Sequence, residues 1–139
     1  MKRLLIILVF TLAAFRGPAA AVQPVDLSQI KTVIEAQLNA FSTRDADRAF
    51  AVVSPAVRVA YKNASTFMKM VEDRYTPLFY AKRWRFDEIL SDNGQTTQIV
   101  YMSDPLGNDW LTLYQMVRGQ DGSWRIDDVN MGLIEGILT

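Results

Sequence analysis

The chain has 139 residues, with 15 Lys and Arg against 15 Asp and Glu, and neither cysteine nor histidine. That length makes one ordinary domain, and 22% charged with 11% aromatic residues excludes wholesale disorder and fibrous repeats. Without Cys there is no disulfide, thiol nucleophile or thiolate zinc site; without His there is no Ser-His-Asp triad and no imidazole ligand. A formal charge of zero gives no reason to expect nucleic acid as a partner, and no motif asks for a cofactor.

Residues 1–21 read as a secretory signal peptide. Lys2 and Arg3 precede an uncharged apolar run from Leu4 to Phe15, and Ala19-Ala20-Ala21 supplies a small-residue cleavage pattern. As a helix that run spans about 18 Å, short of the roughly 30 Å of a hydrocarbon core, so no stable membrane anchor is expected. Cleavage after Ala21 leaves a single domain, residues 22–139, in the periplasm or outside the cell. The leader takes Lys2, Arg3 and Arg16 with it and no acid, so the remaining chain is mildly acidic.

The first half predicts three amphipathic helices. Asp26 and Gln29 form a capping box ahead of Leu27, Ile30, Val33, Ile34, Leu38 and Phe41 at helical spacing. Asp45 caps a short second helix with Ala46, Ala49, Phe50 and Val53 inward, which Pro55 ends. Ala56 to Tyr61 reads as a brief extended piece. Ser65 or Thr66 then caps a third helix, with Phe67, Met68, Val71 and Tyr75 on one side, stopping before Pro77.

From Ala81 the period becomes two. Trp84, Phe86 and Leu90 share one face of a first strand, and Asp92-Asn93-Gly94 signals a hairpin. Gln95 to Met102 is the second strand, Trp110 to Val117 the third and Ser123 to Met131 the fourth, followed by an apolar tail from Gly132 to Thr139. Helices grouped before an antiparallel meander predict an α+β fold, three helices packed on one face of a curved four-stranded sheet.

Three segments, AFSTRDADRAFAVVSP (40–55), FMKMVEDRYTPL (67–78) and DGSWRIDDVNM (121–131), resemble a family of small exported bacterial proteins whose domain has no assigned function. The order of elements is similar to the nuclear-transport-factor-2-like, ketosteroid-isomerase-like cone. The resemblance covers roughly residues 28 to 131 and rests on Asp45, Phe50, Pro55, Tyr75, Gly122 and Trp124, all of which have structural explanations. It implies a pocket between helices and sheet. Strand residues Trp110, Thr112, Tyr114 and Met116, with Ile99 and Tyr101 opposite, are the candidate lining; the plain alternative is that they fill the core.

Ketosteroid isomerases join a carboxylate base to a Tyr and a neutral Asp as oxyanion donors. Here Asp127 or Asp128 with Tyr101 or Tyr114 offers a comparable set, and strand alternation puts Asp128 on the Trp124/Ile126 face, making it the better candidate. Asp104, Asn108 and Asp109 do not have the spacing of a calcium loop, so no metal site is assigned. Lys82, Arg83 and Arg85 alternate with Trp84 and Phe86 as a solvated strand face does.

The third strand is apolar on both parities, with Leu111, Leu113 and Val117 opposite Trp110, Tyr114 and Met116. That predicts a cover over the second sheet face, most economically a second copy of the chain, or the tail residues Leu133, Ile134, Ile137 and Leu138. The expected role is a non-catalytic exported binding or interaction module for a small apolar molecule or a cell-envelope protein. The alternative is a small isomerase or lyase using Asp128 with Tyr101 or Tyr114.

Overall fold

The computed structural model describes residues 27–135. Asp26, the proposed leader and the tail residues Ile137 and Leu138 therefore lie outside the described residues. Five helices precede four strands: α1 (Leu27–Ser42), α2 (Ala46–Ala51), α3 (Pro55–Tyr61), α4 (Ala64–Arg74), α5 (Thr76–Phe79), β1 (Arg83–Asp92), β2 (Gln95–Ser103), β3 (Asp109–Arg118) and β4 (Trp124–Ile134). The fold is α+β, and its strands form one antiparallel sheet in the order β1-β2-β3-β4.

α1 buries Ile30, Ile34, Leu38 and Phe41 at the expected spacing, while Leu27 is left exposed. It also buries Gln37, which no apolar pattern could announce. Asp45 caps α2 as anticipated, its carboxylate accepting the Arg48 N–H at 3.1 Å. The helix count differs from expectation because Ser54-Pro55 is a start signal as well as a stop. Ser54 accepts the Val57 N–H at 3.3 Å, and Pro55 occupies the first turn, where its missing donor costs nothing. The segment 56–61 is therefore helical rather than extended. Asn63, not Ser65 or Thr66, caps α4 by accepting the Thr66 N–H at 2.8 Å. α4 stops before Pro77, which opens the one-turn α5.

The hairpin between β1 and β2 turns at Asn93 and Gly94, with φ of 47° and 79°, the left-handed pair that a tight antiparallel turn needs. β1 carries a bulge between Phe86 and Ile89. The extra residue resets the parity, so Ile89 joins Trp84 and Phe86 against the core and Leu90 turns to solvent. Gln98 on β2 supplies the bulge with the donors it lacks: its Nε2 donates to Asp87 O at 2.9 Å and Glu88 O at 3.3 Å. Thr112, Tyr114 and Met116 of β3 point into the core with Val100 and Met102 of β2, whereas Leu111, Leu113 and Val117 stay part-exposed on the other face.

Gln98 is wholly buried, so Gln98→Leu takes the side-chain donor away from the Asp87 and Glu88 carbonyls at the bulge. We expect it to lower stability by about 1–3 kcal/mol in urea unfolding. A variant as stable as the parent would mean that the bulge does not depend on Gln98.

Candidate functional site

Residues 52–54, between α2 and α3, run beside the start of β4 as if they were a short fifth strand. Ile126 N–H donates to Val52 O at 2.9 Å and Ser54 N–H to Ile126 O at 2.9 Å, with Val53 and Ile126 in parallel register. Immediately afterwards β4 bulges. Met116 pairs with Ile126 but Gln115 pairs with Asp128, which leaves Asp127 as the extra residue. Asp127 is held by the Ser54 hydroxyl, which donates to its Oδ1 at 2.7 Å.

A cavity of about 350 Å³ opens next to this junction, between α3, α4 and the bulged end of β4. Phe41, Val53, Phe67, Val71 and Leu78 form its buried apolar wall, and Ala56 and Ala60 stand exposed at its mouth. The polar groups in the lining are Gln37, Tyr61, Tyr75, Asp127 and Asp128. Gln37 is 1% exposed, and its Nε2 donates to Ala49 O at 3.2 Å. That bond orients the amide and leaves Oε1 for the cavity. Tyr61 packs edge-on against Phe67, with ring centroids 5.8 Å apart.

Burial holds the Tyr75 phenol above its ordinary pKa of 10.0, and the negative Asp128 and neighbouring Tyr61 push the same way, partly offset by Arg74. Tyr75 thus lies close enough to both Asp128 and Tyr61 to feel them. Among the described residues no group of three or more acidic side chains is arranged to hold a metal ion.

The residues singled out in the sequence are dispersed. Asp128 does line the cavity but is exposed, with Oδ1 accepting the Val129 N–H at 2.9 Å and Oδ2 the Asn130 side-chain N–H at 3.3 Å. The bulge breaks the alternation that placed it beside Trp124 and Ile126, pairing it with Gln115 instead. Thr112 and Tyr114 are fully buried beneath the helices and outside the cavity lining. Tyr101 pairs with Leu111, so it sits on the face away from Tyr114, under the Arg85 guanidinium at 4.8 Å. Trp110 donates its Nε1–H to Asp104 at 3.1 Å and lines a neighbouring groove of about 380 Å³ that shares Tyr75 and Val129 with the cavity. Gln37, Tyr61 and Tyr75 went unrecognised because the cavity lies at the helix side of the sheet's end. Gln37 at an inward helical position, and Tyr75 on the side of Phe67 and Val71, were the available signs.

A family model described as "Domain of unknown function (DUF4864)" matches residues 24–134. The chain belongs to that family. The match spans every element from α1 to β4, so the cavity is made wholly within the DUF4864 domain. Among curated proteins none matches the chain.

Within this DUF4864 domain the Tyr114 hydroxyl finds no hydrogen-bond partner among the described residues. Tyr114→Phe removes a buried polar atom that bonds to nothing there, so stability at neutral pH is expected to stay within about 0.5 kcal/mol of the parent or to rise. Burial also raises the Tyr114 pKa far above 10.0. Below pH 10 the phenol is neutral in both states; above it, the unfolded chain loses the proton and the folded one does not. Stability conferred by that neutral phenol is therefore lost as pH climbs beyond 10, with Tyr75 acting in the same direction. In urea unfolding from about pH 9 to pH 11, Tyr114→Phe should show the shallower alkaline decline. Equal slopes would contradict that assignment.

Proposed function

We propose that this DUF4864 domain is an exported, non-catalytic binding module of the cone type, whose ligand is a small, largely apolar molecule. The observation that carries the proposal is the cavity beside the β4 bulge, apolar in its walls and furnished with a few polar groups at fixed places. Its volume of about 350 Å³ falls in the range of small-molecule sites. The order of helices before a four-strand meander agrees with a nuclear-transport-factor-2-like architecture, and the leader-like pattern of residues 1–21 agrees with export to the periplasm or beyond.

A second reading, an acid–base enzyme such as an isomerase or lyase, has one specific observation in its favour. Asp127 and Asp128 share the cavity lining with the phenols of Tyr61 and Tyr75. Tyr75, rather than Tyr101 or Tyr114, would then be the partner of Asp128. Binding remains the stronger reading because both Asp128 oxygens already accept hydrogen bonds and Asp127 is tethered to Ser54.

The test uses N-phenyl-1-naphthylamine, a neutral three-ring dye that fluoresces in apolar surroundings. Saturable enhancement by the parent is expected, and Ala60→Trp, which fills the exposed mouth without touching the core, should weaken it at least about tenfold. Absence of saturable binding would overturn the binding reading.

The same proposal pairs two copies through the far sheet face, where Ile99, Tyr101, Leu111, Leu113 and Val117 are only part-buried. Sedimentation equilibrium at micromolar concentration should give a dimer, and Leu113→Glu a monomer. A monomeric parent would contradict the pairing.

A further inference from the structure

The polar atoms that the cavity offers without a protein partner are all able to accept a hydrogen bond. Gln37 is almost wholly buried, one of its two Nε2–H donors is engaged by Ala49 O, and its Oε1 has no partner among the described residues. Asp127 receives the Ser54 hydroxyl on Oδ1, and its Oδ2 has no partner among the described residues. The Tyr61 and Tyr75 hydroxyls make no hydrogen bond to the described residues and can accept as well as donate. No Lys or Arg stands in the lining, while Asp128 adds a second carboxylate at the rim.

Such a site opposes an anion and leaves a neutral apolar molecule with unanswered acceptors. A buried amide oxygen or carboxylate left without a donor is costly, and a donor that is itself charged makes the stronger bond. Resting on the binding reading above, we infer that the ligand is a primary ammonium ion carried on an apolar, ring-sized body. Its N–H donors meet Asp127 Oδ2, Gln37 Oε1 and a tyrosine hydroxyl, and its body lies among Phe41, Phe67 and Val71. Asp127 is the anchor, because it is half-buried with one oxygen free, while Asp128 is exposed and each of its oxygens already accepts one hydrogen bond. Phenol rings beside an ammonium add their own attraction for a cation.

Three probes of one shape separate the possibilities: 4-phenylbutylamine, 4-phenylbutan-1-ol and 4-phenylbutanoate, titrated calorimetrically into the unmodified protein. The amine should bind about tenfold more tightly than the alcohol, and the carboxylate most weakly. Asp127→Asn should erase the preference for the amine, whereas Asp128→Asn should keep it within about threefold of the parent. Should Asp127→Asn fail to fold, the ranking in the parent decides alone. Equal affinities, or a carboxylate that binds best, would overturn the inference. If N-phenyl-1-naphthylamine binds and the amine has no advantage, only the ammonium assignment fails; if neither binds, the binding reading fails with it.

Discussion

The join between residues 52–54 and the first half of β4 is the constraint on which the rest of this molecule depends. Two backbone hydrogen bonds of 2.9 Å bring the helix layer to the sheet edge at Ile126. One residue later the Ser54 hydroxyl bonds Asp127 at 2.7 Å while its oxygen also starts α3. A single serine thus caps a helix, extends an edge and fixes the extra residue of a bulge. The strand edge is covered there, which removes a site of unwanted pairing, and the bulge lies where Asp127, Asp128 and Val129 face α3 and α4 across the cavity. The cavity is the space left between them.

That geometry also decides which carboxylate has chemical capacity. Regular alternation would distinguish Asp127 from Asp128 by face, but the bulge abolishes the distinction. What separates them is position and occupancy: Asp128 is exposed and accepts one hydrogen bond on each oxygen from its own strand neighbours, whereas Asp127 is half-buried and keeps one oxygen free within the lining. In a chain with no His and no Cys, carboxylates, phenols, amides, hydroxyls, amines and guanidinium groups remain to recognise a ligand. Of these, two carboxylates, two phenols and one amide gather in the cavity.

Much of the architecture was legible because it rests on local rules. The inward spacing of Ile30, Ile34, Leu38 and Phe41, the Asp45 cap and the Asn93-Gly94 turn act within a few residues, and each stands where the pattern puts it. Ser54-Pro55 was misread because a proline that stops one helix can begin another; only the hydrogen bond from Val57 tells the two apart. Leu90 and Asp128 went astray for one shared reason. Each follows a bulge, and a bulge depends on pairing with a distant strand and on partners such as Gln98 and Ser54, so no period-two count can foresee it. The site was harder still, since Gln37, Tyr61 and Asp127 come from three separate elements and Tyr75 from the junction of α4 and α5, and they meet only after folding.

The central claim is that the space beside the β4 bulge receives a donor-bearing apolar ligand. Amide NMR of the labelled protein during titration with 4-phenylbutylamine tests it most directly. The account predicts that the Gln37 side-chain amide and the backbone amides of Val57, Asp127 and Asp128 shift together and saturate. Shifts confined to Leu111, Leu113 and Val117 on the far face of the sheet, with Gln37 unmoved, would contradict it.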